Sequence, residues 1–165
     1  MITVLRDDLA FLAVDAVFRP ADQHLDPAGA AMRRLDAQAG PRFARLRRVN
    51  SELEVGAAVV TGGGELAAPF VVHVVVQDAE PWRGMPGVRR ALVSAWQRCA
   101  EWGFRRVAAP LVGTGPGQLG LEEATRLLVE TFPGGAGGTA AELAIVVERE
   151  EERELVEAVV RRGRA

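Results

Sequence analysis

One glycine-rich stretch has the residue types that could hold an anion: Gly113, Thr114, Gly115, Pro116 and Gly117. It follows an apolar run at residues 107–112 and precedes a helical pattern at residues 121–131. Glycine lets backbone N–H groups approach a bound group closely, and such amides beside a helix N-terminus favour a phosphate. The stretch matches neither the dinucleotide fingerprint nor the phosphate-binding loop that ends in Gly-Lys-Ser/Thr. A tight turn without a ligand therefore stays open as the alternative.

Ionisable side chains gather in a second stretch, residues 19–27, whose two prolines and turn-forming residues predict a loop. It contains Asp22, His24 and Asp26. A carboxylate or an imidazole can act as general base on a water if it lies within hydrogen-bond reach. Because such loops are also acidic for solvation alone, the sequence leaves both interpretations open.

Two further reactive side chains are predicted to be structural. His73 is flanked by valines, which favours a core or edge histidine satisfied by a backbone partner over a ligand or base. Cys99, the only cysteine, lies in a helical pattern and is predicted to be a small buried hydrophobe. No metal-ligand spacing is present, so we expect no bound metal and no cofactor.

The charge pattern argues against a general nucleic-acid or membrane binder. The formal net charge is −2, so no overall electrostatic attraction to a polyanion is expected. A basic helix predicted at residues 41–49 carries four arginines. We interpret it as a solvated face unless it joins a wider basic patch.

The elements that must position these residues alternate between apolar strands and helices. Strands are predicted at residues 2–5, 14–18, 56–61, 70–76, 107–112 and 143–147, and helices at 28–39, 41–49, 87–103, 121–131 and 148–162. Glycines 62–64 predict a hairpin or tight return between two of the strands. The last helix is expected to present Leu155 and Val159 inward. This order predicts a three-layer α/β/α sandwich with a mixed, mostly parallel sheet of about six strands and ligands at the carboxyl ends of the strands.

The length of 165 residues predicts a single domain spanning residues 1–165. The start of the chain does not read as a signal peptide, and no apolar run reaches the roughly 18 residues needed to cross a bilayer. A lone cysteine fits a reducing compartment. We therefore expect a cytoplasmic protein with no membrane partner.

Several short motifs, in order along nearly the whole chain, resemble the macro domain family. They are Asp8-Leu9, Val14-Asp15-Ala16-Val17, Arg19-Pro20-Ala21-Asp22, Ala39-Gly40, Gly56-Ala57-Ala58-Val59-Val60-Thr61, Phe70-Val71-Val72-His73 and Ala109-Pro110-Leu111-Val112-Gly113-Thr114-Gly115. The resemblance implies the family's α/β/α fold. It also implies binding of ADP-ribose or a related nucleotide, sometimes with hydrolysis of ADP-ribose from a protein, nucleic acid or acetyl group.

By this resemblance, Asp8 would accept a hydrogen bond from the adenine amino group, with the backbone of Leu9 beside it. The loop at residues 113–117 would wrap the diphosphate. Both roles suit the chemistry, because a carboxylate accepts from an amino group and backbone amides hold phosphates. The resemblance places further ligand-binding positions at Ala21, Asp22, Gly29 and Val112.

The chain departs from the family pattern at the ribose loop and at its lid. Family members that hydrolyse ADP-ribose typically have Asn-Ala-Ala-Asn followed by a triple glycine, where this chain has Arg19-Pro20-Ala21-Asp22 and Ala28-Gly29-Ala30. Ionised Asp22 only accepts hydrogen bonds, whereas asparagine also donates. Gly117 replaces a frequent aromatic residue. Arg149 lies near the place of a ring that often covers the adenine, and its guanidinium could stack there or remain a surface charge.

Three functions follow from these features. The first is a binding module for ADP-ribose or a related nucleotide diphosphate, free or attached to a macromolecule. The second is an ADP-ribosyl hydrolase in which Asp22 acts as the catalytic base. The third is an interaction or homodimerisation domain without a ligand, for which exposure of Trp82, Met85 and Trp102 would be the evidence.

Overall fold

The computed structural model describes residues 1–77, 84–114 and 118–164. The strands are β1 (Ile2–Arg6), β2 (Ala16–Asp22), β3 (Ala58–Gly62), β4 (Phe70–Gln77), β5 (Arg106–Ala109) and β6 (Glu142–Val147). The helices are α1 (Ala30–Ala39), α2 (Pro41–Leu46), α3 (Gly84–Trp102), α4 (Leu121–Thr131) and α5 (Glu150–Arg164). Short 3-10 helices at Leu9–Phe11 and Ala136–Gly138 complete the order.

The six strands form one mixed sheet in the order β1-β6-β5-β2-β4-β3. All neighbouring strands are parallel except β3, which runs antiparallel to β4 at one edge. This confirms the predicted mixed, mostly parallel sheet of six strands, and the antiparallel β3–β4 pair confirms the predicted return of the chain.

Helices cover both faces of the sheet because its strands are apolar on both sides. Phe18 packs in the larger core, with residues of α3, α4 and α5. Its neighbour Val17 packs in the second core, with Leu35 of α1 and Phe43 of α2. Successive strand residues point to opposite faces, so one unbroken apolar run serves both layers.

Strand β2 runs four residues further than the sequence predicts, into the segment expected to be a loop. It pairs with β4 as far as Asp22. Pro20 is tolerated because its carbonyl accepts from the Ala28 N–H at 3.2 Å, away from β4. The N–H and C=O of one strand residue point to the same side, so the missing proline N–H removes no bond to β4.

Two other expectations need correction. Strand β5 ends at Ala109 rather than at residue 112, since Pro110 follows it and cannot donate to a ladder. In α5, Leu155 is 58% exposed, and the buried positions are Val156, Val159 and Val160. Val156 and Val160 are four residues apart and share one helix face, whereas Leu155 lies outside that stripe.

The parallel arrangement brings the carboxyl ends of β2, β5 and β6 to the same end of the sheet. We call this end the carboxyl edge, as distinct from the outer strands β1 and β3. Predicted site residues follow each of these strands, so the topology can bring them together. Cys99 is buried in α3, and this burial raises the pKa of its thiol to about 12. Within the part of the chain that the structure describes, no helix is long and apolar enough to cross a membrane.

Candidate functional site

A cleft of about 560 Å³ opens at the carboxyl edge of the sheet. One wall comes from α1, through Ala31, Met32, Arg34, Leu35, Ala37 and Gln38. The other comes from the end of β6 and the first turn of α5, through Val146, Val147, Glu148 and Glu152. The 3-10 turn and the segment after β5 close it, with Asp7, Asp8, Leu9, Pro110, Leu111 and Thr114. This volume is in the range of small-molecule sites.

Asp8 is held in the cleft by the helix it caps. Its Oδ1 accepts the backbone N–H of Ala10 at 2.9 Å, which makes Asp8 the N-cap of the Leu9–Phe11 turn. The side chain of Leu9 is buried and fixes this turn against the second core. The Asp8 carboxylate is exposed, so its second oxygen can receive a hydrogen bond from a ligand.

Thr114 reaches the cleft through a constrained turn after β5. Gly113 has φ +93°, and a Cβ there would lie 3.0 Å from Val88 and 3.1 Å from Leu119. Its carbonyl accepts the Leu119 N–H at 3.1 Å, so the backbone at Gly113 is tied to the residues that precede α4. Gly115, Pro116 and Gly117 lie outside the described residues, so only Gly113 and Thr114 of the predicted diphosphate loop are described.

The Asp22 carboxylate stabilises the turn in which it lies. Its Oδ1 accepts two backbone N–H groups, from His24 at 2.8 Å and from Asp26 at 2.9 Å. Leu25 within the turn is buried and takes φ +62°, a left-handed conformation that is uncommon for a non-glycine residue. His24 is exposed, and Asp26 forms an ion pair with Arg47 at 3.0 Å. The three ionisable residues of this loop therefore do not converge on one point.

A buried polar network lies directly beneath that turn. Arg19, which is fully buried, makes a two-point ion pair with Asp36 of α1, at 2.7 Å from both Nε and Nη2. Its Nη1 donates to the Leu25 carbonyl at 2.8 Å, and Arg47 donates to the same carbonyl at 2.9 Å. Two guanidinium groups thus donate hydrogen bonds to the carbonyl of Leu25, the residue with the left-handed backbone conformation.

His73 is the innermost member of this network. Its Nδ1 lies 3.1 Å from Arg19 Nη1 and its Nε2 lies 2.7 Å from Thr61 Oγ1. Burial, followed by the charges of Arg19 and Arg47, lowers the pKa of His73 well below its ordinary value. The neutral ring then accepts at Nδ1 and donates at Nε2. The expected core histidine is confirmed, but its partners are side chains and not the predicted backbone group.

Charged residues face one another across the cleft. Arg34 of α1 donates from Nη2 to Oε1 of Glu148, and both residues line the cleft. Arg149 is 74% exposed and forms a loose ion pair with Glu152 at 3.5 Å.

The structure brings some of the predicted residues to the cleft and leaves others beside it. Asp8, Leu9 and Thr114 line it. Among the described residues, the lining does not include Ala21, Asp22, Gly29, Val112, Gly113 or Arg149. Sequence reasoning missed the α1 wall. The available signal was the helical spacing of Ala31, Arg34, Leu35 and Gln38, which places them on one side of a helix.

The fold is that of a known structural class. The macrodomain of Trypanosoma brucei, solved in complex with ADP-ribose, superposes with a TM-score of 0.82 at 22% identity, covering 96% of this chain and 68% of that one. Identity at this level establishes the fold alone.

The sequence comparisons then give the family. The family model described as "Macro domain" matches residues 19–128, well over half of the chain. An uncharacterized protein of Aeropyrum pernix is 31% identical over 128 residues, covering 76% of this chain and 67% of its own length. The O-acetyl-ADP-ribose deacetylase of Cronobacter sakazakii is 32% identical over 124 residues, covering 69% and 67%.

The chain therefore belongs to the macro domain family. It spans between 33% and 67% of the length of curated relatives that it matches, so the activities of those whole proteins do not transfer directly.

Proposed function

We propose that this chain binds ADP-ribose, or a closely related nucleotide diphosphate, in the cleft at the carboxyl edge. The observation that carries the proposal is the Asp8 carboxylate, which lines the cleft with one oxygen fixed by the turn and the other free to accept. An adenine amino group is a suitable donor for that oxygen. The diphosphate would then extend toward Thr114 and the loop at residues 115–117.

The apolar floor of the cleft supports the same assignment. Met32, Leu35, Leu111 and Val146 lie among its lining residues, so a flat heterocycle held at Asp8 could be buried against apolar side chains. Ligand sites of this kind combine an apolar lining with a few polar groups that fix orientation. In this cleft, Asp8 would recognise the adenine base and the segment after β5 would bind the phosphates.

A carboxylate-to-amide exchange tests the role of Asp8. In Asp8→Asn, the side-chain oxygen would keep the cap, but an NH₂ group would point at the adenine amino group. Asp8→Asn should therefore bind ADP-ribose roughly tenfold or more weakly by calorimetry, because a hydrogen bond to a charged group contributes about 1.5–3 kcal/mol.

The inosine analogue of ADP-ribose, which has an acceptor in place of the amino group, provides the matched control. It should bind the wild type poorly and regain affinity in Asp8→Asn. Saturating ADP-ribose should also stabilise the wild type, by about 2.7 kcal/mol at 100 times its dissociation constant. Absence of both heat and thermal shift with ADP-ribose would contradict the proposed function.

Hydrolysis is the second candidate, supported by the deacetylase that is 32% identical. Asp22 would then act as the base through Oδ2, since Oδ1 already accepts two backbone N–H groups. Asp22→Asn preserves an oxygen for the turn and removes the base. If the wild type releases acetate from O-acetyl-ADP-ribose and Asp22→Asn does so equally fast, Asp22 is not the base.

We further propose that the natural ligand is free ADP-ribose or an ADP-ribosylated macromolecule met in the cytoplasm. The free, buried Cys99 is compatible with a reducing compartment. Fractionation of cells that express the native chain would test the location.

A further inference from the structure

We propose that Arg34 is a phosphate-binding residue of the cleft. Its guanidinium pairs with Glu148 in the absence of a ligand and binds the phosphate of the ligand instead when one is present. This inference rests on the proposed function, because it requires a nucleotide diphosphate in the same cleft. It assigns a role to the α1 wall of the cleft, whose lining residues belong to none of the sequence motifs.

The Arg34–Glu148 ion pair joins the two walls of the cleft. Arg34 lies on α1 and Glu148 follows β6, and the two residues are 114 positions apart in the chain. Both side chains line the cleft, and they are 61% and 62% exposed. A diphosphate bound between α1 and the end of β6 would therefore meet this pair.

The charge of the lining explains why such a residue is needed. Four carboxylates line the cleft: Asp7, Asp8, Glu148 and Glu152. Arg34 is the single basic side chain in that lining within residues 1–77, 84–114 and 118–164. A diphosphate would be repelled by the carboxylates at these short distances. Arg34 is the side chain there that can oppose the repulsion directly.

The exchange of partners is energetically easy. Ion pairs between exposed side chains contribute little, because water solvates both groups well. A phosphate offers the guanidinium a two-point, charge-assisted contact that a single carboxylate oxygen in this geometry does not. The ligand therefore gains a strong contact while the protein loses a weak one.

Four proteins test this partner exchange by calorimetry with ADP: wild type, Arg34→Gln, Glu148→Gln and the double variant. Arg34→Gln should weaken ADP binding about tenfold, since a hydrogen bond to a charged group is lost. Glu148→Gln should strengthen it by about two- to fivefold, the range of an exposed ion pair. That gain should become clearly smaller when Arg34 is also replaced, because only the relief of repulsion between Glu148 and the phosphates then remains.

Adenosine and a second ion pair serve as controls. Adenosine lacks phosphate, so Arg34→Gln should leave its affinity within twofold of the wild-type value. Arg89 and Glu130 form an exposed ion pair at 2.6 Å outside the cleft lining, and Arg89→Gln and Glu130→Gln should leave ADP binding unchanged.

The outcomes separate this inference from the proposed function. If the wild type does not bind ADP-ribose, the proposed function fails and the inference fails with it. If the wild type binds but Arg34→Gln binds ADP equally well, only the inference is overturned. An equal loss for adenosine, or a Glu148→Gln gain that is just as large without Arg34, would also overturn it.

Discussion

At the scale of single residues, Arg19 has the largest structural role in the neighbourhood of the site. It lies on β2 with its side chain fully buried, and it binds Asp36, Leu25 and His73 at once. A buried guanidinium is tolerated only when it is paired and hydrogen-bonded. The same contacts join β2, β4, α1 and the Asp22 turn, so Arg19 determines how the segment after β2 is held.

Replacing Arg19 by methionine should cost about 3 kcal/mol of unfolding free energy, because Asp36 would lose its two-point partner and keep only the longer contact with Arg47 at 3.7 Å. Urea unfolding of Arg19→Met against wild type measures this cost. Arg89→Met, which removes an exposed ion pair, is the matched control and should cost no more than about 1 kcal/mol. Equal losses in the two variants would mean that the buried network contributes no special stability.

His73 predicts how stability changes with pH. Its pKa in the folded protein is lowered, so the unfolded chain takes up the proton first as the pH falls. The stabilisation is complete above the unfolded pKa of about 6.5 and is lost progressively below it, by up to about 1.4 kcal/mol per pH unit. Wild type should therefore lose more stability than His73→Gln between pH 7 and pH 5 in urea titrations. Parallel pH profiles would rule out His73 as the cause.

At the scale of elements, the connection from β5 to α4 combines a tightly packed backbone with a residue of the cleft. Gly113 takes a positive φ angle between Val88 and Leu119, and Thr114 follows it into the cleft. Glycine is required at position 113 because the backbone φ angle is positive and because there is no room for a Cβ atom. A side chain at this position would move the start of the loop that we assign to the diphosphate.

Gly113→Ala should destabilise the protein by roughly 1–3 kcal/mol, from backbone strain together with crowding. Gly103→Ala is the control for strain alone, because Gly103 has φ +75° and a Cβ added there would have no atom within 4 Å. Thermal or urea unfolding compares the two, and Gly113→Ala should be the less stable. If both lose the same free energy, crowding contributes nothing.

The elements were largely predictable from the sequence, whereas their ends were not. Apolar runs identified all six strands, and the helix predicted at residues 28–39 contains the observed α1 at Ala30–Ala39. The extension of β2 past Pro20 depends on which neighbour the proline faces, and this is a property of the assembled sheet. The exposure of Leu155 likewise depends on how α5 is rotated against its neighbours.

At the scale of the whole molecule, the cleft and an aromatic cluster that contains the exposed Trp102 occupy opposite ends of the sheet. Phe70 begins β4, Phe104 precedes β5, and Trp102 ends α3, so these rings meet at the amino ends of the parallel strands. Trp102 is 52% exposed; Met85 is 37% exposed but lies at the other end of α3, so it is not part of this cluster, and Trp82 lies outside the described residues. Contacts with a partner at this cluster would leave the cleft accessible.

Trp102→Gln should therefore leave the affinity for ADP-ribose within twofold of the wild-type value, measured by calorimetry. The separation of the two ends is the reason, since none of the three clustered rings is among the residues that line the cleft in the described part of the chain. Light scattering on the same samples tests self-association. A change in nucleotide affinity without a change in mass would contradict the independence of the two ends.

The site was less predictable than the fold because its partners are distant in the sequence. Asp8 and Thr114 were reached through short motifs. The Arg19–Asp36–His73 network joins residues 17 and 54 positions apart, and the Arg34–Glu148 pair joins residues 114 apart. Local spacing cannot specify such contacts, since they depend on the strand order of the finished sheet.

The burial of Cys99 has a practical consequence for spectroscopy. Its thiol, with a pKa of about 12, stays protonated and shielded inside α3 at neutral pH, and the chain has no other cysteine. A cysteine introduced at an exposed position such as Ala37 would then be the only one that reacts readily with a maleimide dye. Fluorophores could be attached at one chosen wall of the cleft while every native residue of the core is kept.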